Sequence, residues 1–141
     1  MAAGCTYVAQ DAGNRNVLRR HEWTWVSSPD GTMSGTGESD VISGRLIQLQ
    51  AIPLSGYIPT SGYSIKLVDS IGMDWLLGSC LSVMPSSCND PENVQCPYIY
   101  LNKRPIVQNI TLTPVISGAG DGKSALIRLW VSDIRKGAAY V

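Results

Sequence analysis

His21 is the sole histidine of this 141-residue chain, and it lies between Arg20 and Glu22. A histidine that acts as general base or metal ligand needs partners of matching type within reach. Set among charges on an alternating segment, it reads instead as a surface or interface histidine. The other candidate ligands are Cys5, Cys80, Cys88 and Cys96. The last three repeat as C-x7-C-x7-C in a Ser- and Pro-rich stretch, unlike the close pairs of structural zinc sites. With no histidine nearby, they point to free buried thiols or to a disulfide between two of Cys80, Cys88 and Cys96, with the pairing open. Such a bond would staple a long loop, and in a protein that is not exported it would form only after release into an oxidising setting. Cys5 reads as a small residue of an N-terminal arm.

The acids add no site. Asp69, Asp74, Asp90 and Asp121 are scattered and lack the alternating oxygen ligands and closing Glu of a calcium loop. Asn109-Ile110-Thr111 has the spacing of a glycosylation sequon, which carries no meaning without a signal peptide. No catalytic residue, cofactor or metal is expected.

The aromatic residues carry more information. Four Trp and six Tyr stand against no Phe, so every large ring has a polar handle of the kind favoured at interfaces and in sugar stacking. Trp23 and Trp25 share one face of a strand, because side chains alternate along it. That face is core, subunit contact or sugar platform. Trp75 and Trp130 read as core.

Charge narrows the partners. Eleven basic and eleven acidic residues cancel, whereas a nucleic-acid binder normally shows a basic excess. A chain near zero net charge resists association with its own copies less than a strongly charged one. No window approaches the roughly 18 apolar residues of a membrane-spanning helix. The N-terminus lacks the basic and apolar regions of a secretory signal. The expectation is a soluble protein made without export, with neither nucleic acid nor membrane as partner.

The elements follow from periodicity and turn chemistry. Residues 1–16 read as an arm and 17–141 as a single domain. A first strand covers about 17–27 and ends at Ser28-Pro29-Asp30-Gly31, where Pro presets φ and Gly accepts a positive one. Residues 32–40 form an edge strand or a loop. A second strand spans Val41 to Ile52, with a bulge signalled by Gly44 and a stop at Pro53. Tyr63 to Asp69 alternates, with Tyr63, Ile65 and Leu67 inward. Met73 to Leu77 is strand or helical turn. Tyr98 to Leu101 is a short strand, and Ile106 to Thr113 alternates with Ile106, Ile110 and Leu112 on one face. Ser117 to Gly122 is a hairpin tip. Ser124 to Val131 is apolar on both faces, with Ile127, Leu129 and Val131 on one of them, which marks a central or interface strand. Six or seven strands and no long helix predict an all-β fold, an antiparallel sandwich of jelly-roll or Ig-like type with an N-terminal arm.

Arg19-Arg20-x-x-Trp23-x-Trp25-x-Ser27, Gly31-x-x-Ser34-Gly35 and Gly44-x-Leu46 together resemble a family of small β-rich virion proteins of tailed bacteriophages. Ile52-Pro53, Pro59-Thr60-Ser61-Gly62-Tyr63, Leu67-Val68-Asp69 and Gly72-Met73-Asp74 continue the pattern over about residues 19–78. It returns near Ile127 to Val131. Ser64 departs from the Asp usual after the tyrosine, and the Cys-rich segment 79–97 is particular to this chain.

The resemblance implies a non-enzymatic structural protein of the virion, made in the host cytoplasm. Its sharper form is a capsid decoration or cement protein that trimerises and binds the major capsid protein or other virion proteins. Arg19, Arg20, Trp23, Trp25, Ile127, Leu129 and Val131 are its expected interface, and the arm would bridge neighbours. The alternatives are a tail, neck or fibre-base component, or a carbohydrate- or receptor-binding β-module.

Overall fold

The computed structural model describes residues 3–11, 18–78, 80–81, 84, 98–100 and 106–132. These residues form eight strands and no helix. The strands are β1 (Gly4–Asp11), β2 (Leu18–Val26), β3 (Ile42–Pro53), β4 (Ser64–Val68), β5 (Tyr98–Tyr100), β6 (Ile106–Ile110), β7 (Thr113–Ser117) and β8 (Ser124–Ser132). One antiparallel sheet runs in the order β1-β2-β8-β3-β5, with β6 also paired to β3, and β4 and β7 make a second sheet. Trp23, Trp25, Leu49, Ile127 and Leu129 from the first sheet share one core with Ile65, Leu67 and Ile116 from the second. The fold is all-β, with two sheets packed as a sandwich.

Period-two patterning explains which side each strand buries. Along β8 the odd residues Ala125, Ile127, Leu129 and Val131 are buried while Leu126, Arg128 and Trp130 are half-buried. β8 pairs with β2 along one side and β3 along the other, so it is the central strand the double apolar pattern calls for. On β2, His21, Trp23 and Trp25 share the buried face.

Two glycines are set by geometry. Gly31 has φ +83° and closes the Ser28–Gly31 turn by donating its N–H to Ser28 O at 2.9 Å. Gly44 sits at the bulge where β3 meets β6, at a point where β3 also approaches β8, and a Cβ there would lie 2.2 Å from Ser132 O and 2.6 Å from Val131 Cγ1. No larger residue lets β3 and β8 approach at that point.

Four expectations are corrected. Residues 4–11 are not an unanchored arm: β1 pairs with β2 over its full length, Gly4 opposite Val26 through Asp11 opposite Arg19. The alternating run 106–113 is not one strand. It breaks at Thr111-Leu112, with Asn109 at φ 53°, so that β6 joins the large sheet and β7 the small one. The break also changes the parity: Val107 is buried and Ile106 is exposed. Pro114 lies within β7 opposite Leu67. Residues 118–123 are therefore a crossover between sheets rather than a hairpin tip. Met73 to Leu77 is a turn touching β4 through a Val68–Asp74 bridge, neither strand nor helix.

Candidate functional site

Strand alternation brings Tyr7 of β1 beside His21 and Trp23 of β2 on the buried face. Tyr7 stands opposite Trp23 in the ladder, one diagonal step from His21. The Tyr7 and His21 rings stack at 5.9 Å with 18° between their planes, and Trp23 lies 5.4 Å from Tyr7. The Tyr7 hydroxyl and His21 Nδ1 share a hydrogen bond at 2.6 Å, which we assign with the phenol as donor and the imidazole proton on Nε2. The Trp23 indole N–H donates to Gly37 O at 2.7 Å, fastening the 37–40 segment over the cluster.

The electrostatics of this cluster do not suit acid–base work. His21 is 2% exposed. Burial, reinforced by the Arg19 charge and opposed by Asp40, pushes its pKa down to about 4. Burial and the Asp40 carboxylate push Tyr7 up to about 12. At neutral pH both groups are uncharged, and the imidazole is sealed from any substrate. A general base needs a pKa near the working pH and reach to a proton. His21 has neither, and its chemistry is that of a hydrogen-bond acceptor holding β1 onto β2.

The expected interface residues divide by face. Trp23, Trp25, Ile127 and Leu129 are completely buried and Val131 nearly so, all inside one chain. They are core rather than subunit contact, because β8 is central and the β4–β7 sheet covers that face. Arg19 and Arg20 fall on opposite sides of β2. Arg19 is on the inner side, where its charge acts on His21 and Tyr7. Arg20 is on the outer side, with its Nε 3.9 Å from Glu22 Oε2. Glu22 also accepts from Arg128 Nε at 2.8 Å across the β2–β8 pair. Glu22 and Arg128 side chains remain 20% and 29% exposed, so this ion pair is a solvated one of small energetic weight.

Cys80 is a free, fully buried thiol, and Cys5 is a free thiol packed against the core. Burial raises both to about 12, which keeps them protonated and unreactive. Cys88 and Cys96, the remaining candidates for a disulfide, lie outside the described residues. No group of three or more His, Cys, Asp or Glu side chains among the described residues is placed to hold a metal ion.

Asp69 and Asp74 serve the loop after β4. Asp69 accepts from the N–H groups of Ile71 and Met73 and from the Trp75 indole, each at 3.0 Å. These donors hold its carboxyl below the usual range, against the opposing effect of desolvation. Asp74 accepts from the N–H groups of Leu67, Leu76 and Gly78. Braced in this way, the loop presents Ile71 at 87% exposure.

At one end of the sandwich a half-open groove of about 260 Å³ is lined by Gly4, Ser28, Thr32, Met33, Ser34 and Thr36 among others. Its hydroxyls are partly committed, since Ser28 and Thr32 both donate to the Asp30 carboxylate.

β1 falls within the residues expected to form an arm. The signal present in the sequence was the alternation of Cys5 and Tyr7 against Thr6 and Val8, an inward pair interleaved with an outward one. No protein-family model matches the chain, and neither a curated protein nor a solved structure is similar to it.

Proposed function

We propose that this chain is a non-enzymatic structural protein of a tailed-bacteriophage particle, a capsid decoration or cement protein that associates with its own copies and stabilises the head. The observation that carries this reading is where the residues of the resemblance fall. Trp23, Trp25, Leu46, Tyr63 and Leu67 are all fully buried. Gly44 permits the β3–β8 approach, and Asp69 and Asp74 brace the loop that follows β4. The spaced pattern lies in the framework of the sandwich, so what it carries over is an architecture rather than a reactive group. The sealed, neutral His21 also favours binding over catalysis.

The sugar-binding alternative needs Trp23 and Trp25 on an open surface, and both are interior. The test is co-sedimentation of the purified chain with expanded phage heads stripped of decoration proteins and, separately, with isolated tails. Saturable binding to heads supports the reading. Binding to tails alone overturns the decoration role, and binding to neither overturns the virion assignment.

A further inference from the structure

β1 has one ladder partner among the described residues. Its eight residues pair with β2, and no backbone hydrogen bond from the described residues reaches its other side. An edge about 26 Å long thus offers its N–H and C=O groups outward. Proteins blunt such edges with lysine, proline, bulges or a covering segment. Gly4–Asp11 contains no Lys, Arg or Pro, its pairing is regular throughout, and its single charge is the terminal Asp11.

The other margins of the sandwich are guarded. β5 is three residues long and β6 meets β3 at a bulge. On the small sheet, Met33 exchanges hydrogen bonds with Ile116 beside β7, and Cys80 and Met84 bond to residues 62–65 beside β4.

We propose that β1 is a docking edge for a second copy of this chain, joined β1 to β1 in antiparallel fashion about a two-fold axis. Three observations select that occupant. An antiparallel edge is complementary to itself, so a two-fold needs one free edge per chain, whereas a head-to-tail ring needs two. Among the described residues β1 is the one long unguarded edge. The formal net charge of zero sets no long-range repulsion between copies.

Keeping the buried faces of both copies on the same side requires like-parity pairing. Two registers satisfy this over nearly the whole strand, centred on Tyr7 or on Val8. In either, Val8, now 54% exposed, gains a neighbour across the junction. The inference builds on the self-association in the proposed function but supplies a two-fold contact, not the threefold that the resemblance implies.

The test uses light scattering after size exclusion on the full chain and two double variants. Thr6→Lys with Val8→Lys places like charges opposite each other in both registers, and Thr6→Glu with Val8→Glu does the same with the opposite sign. Thr6 and Val8 are exposed, and Val8 stands opposite Glu22 within its own chain, so the lysine pair leaves the sandwich intact by circular dichroism. Each variant alone should raise the dimer dissociation constant about three- to tenfold, from two opposed like-charge pairs in the register centred on Tyr7 or one in the register centred on Val8. An equimolar mixture of the two should restore the dimer.

A wild-type chain that stays monomeric from micromolar to millimolar concentration overturns the proposal. So does a lysine variant that associates as tightly as the wild type, or a mixture that fails to recover. The head-binding assay is a separate readout. A monomer that still binds heads refutes the edge contact alone, and a dimer that binds neither heads nor tails refutes the virion role alone.

Discussion

Lowering the pH from 7 to 4 should weaken this fold through one residue, His21. Its imidazole is buried against Tyr7 and Trp23, and its pKa falls from 6.5 to about 4. The unfolded chain takes up a proton as the pH drops through 6.5, while the native imidazole does so only near 4. The unfolded state therefore binds more protons across that window, and stability falls as pH falls. The contribution is fully present above about pH 6.5 and levels off below about 4. At about 1.36 kcal/mol per pKa unit the loss comes to about 3 kcal/mol, a large share of a typical domain stability of roughly 5–15 kcal/mol.

Urea unfolding followed by tryptophan fluorescence at half-unit pH steps measures the loss. The control is His21→Gln, whose amide oxygen can still accept the Tyr7 hydroxyl but does not titrate. Carboxylates contribute to both proteins alike, so the difference between the two curves isolates the imidazole. The protection factors of the β1 amides, taken against the intrinsic exchange rate at each pH, should fall more in the wild type than in His21→Gln over the same window, because protonation removes the acceptor for Tyr7. Parallel stability curves for wild type and His21→Gln between pH 6.5 and 4 would refute the reasoning.

Three further outcomes are expected. Tyr63→Phe should stabilise the fold by about 1 kcal/mol, read as a raised urea midpoint, because the Tyr63 hydroxyl is buried with no hydrogen-bond partner among the described residues; a destabilised variant would reveal a partner for it. Gly44→Ala should cost about 3 kcal/mol, since its Cβ would meet the Ser132 carbonyl of the central strand; a urea midpoint within error of wild type would contradict the close β3–β8 approach. Native protein treated with iodoacetamide at pH 8 should be modified at neither Cys5 nor Cys80, both held protonated by burial; peptide mapping that finds either labelled as fast as in urea would contradict their placement.

The strands that bury one full face were legible in the sequence, because a two-residue period there is enforced by the core. Tyr63, Ile65 and Leu67 alternate with Ser64 and Lys66, and burial follows that alternation residue by residue. β2 and β8 were legible for the same reason, as was the bulge at Gly44. β1 was not, since an edge strand is half-covered and its outward Val8 is as apolar as its inward partners. The run 106–113 misled because a continuous alternation hides a change of sheet. The positive φ at Asn109 and the pairing of Pro114 with Leu67 are tertiary outcomes with no local period of their own. The interface assignment erred on a matter of layers. An apolar strand face is the same in sequence whether the covering sheet comes from its own chain or from another.

That ambiguity has a consequence for how this protein can associate. The inner faces of both sheets are used up by each other, with Trp23, Trp25, Ile127 and Leu129 wholly enclosed. The outer side of the large sheet carries the Glu22–Arg128 pair with Arg20 beside it, a solvated cluster that adds little on being covered and costs desolvation of three charges. Exposed apolar side chains such as Ile71 and Val41 stand on loops rather than on a flat face. A backbone edge differs from all of these. Its donors and acceptors are already aligned and ordered by β2, so a second strand gains a full ladder of hydrogen bonds while little further chain entropy is lost. For a chain with no net charge, whose core-facing sheet sides enclose each other among the described residues, the edge of β1 is the surface on which association has the least to overcome.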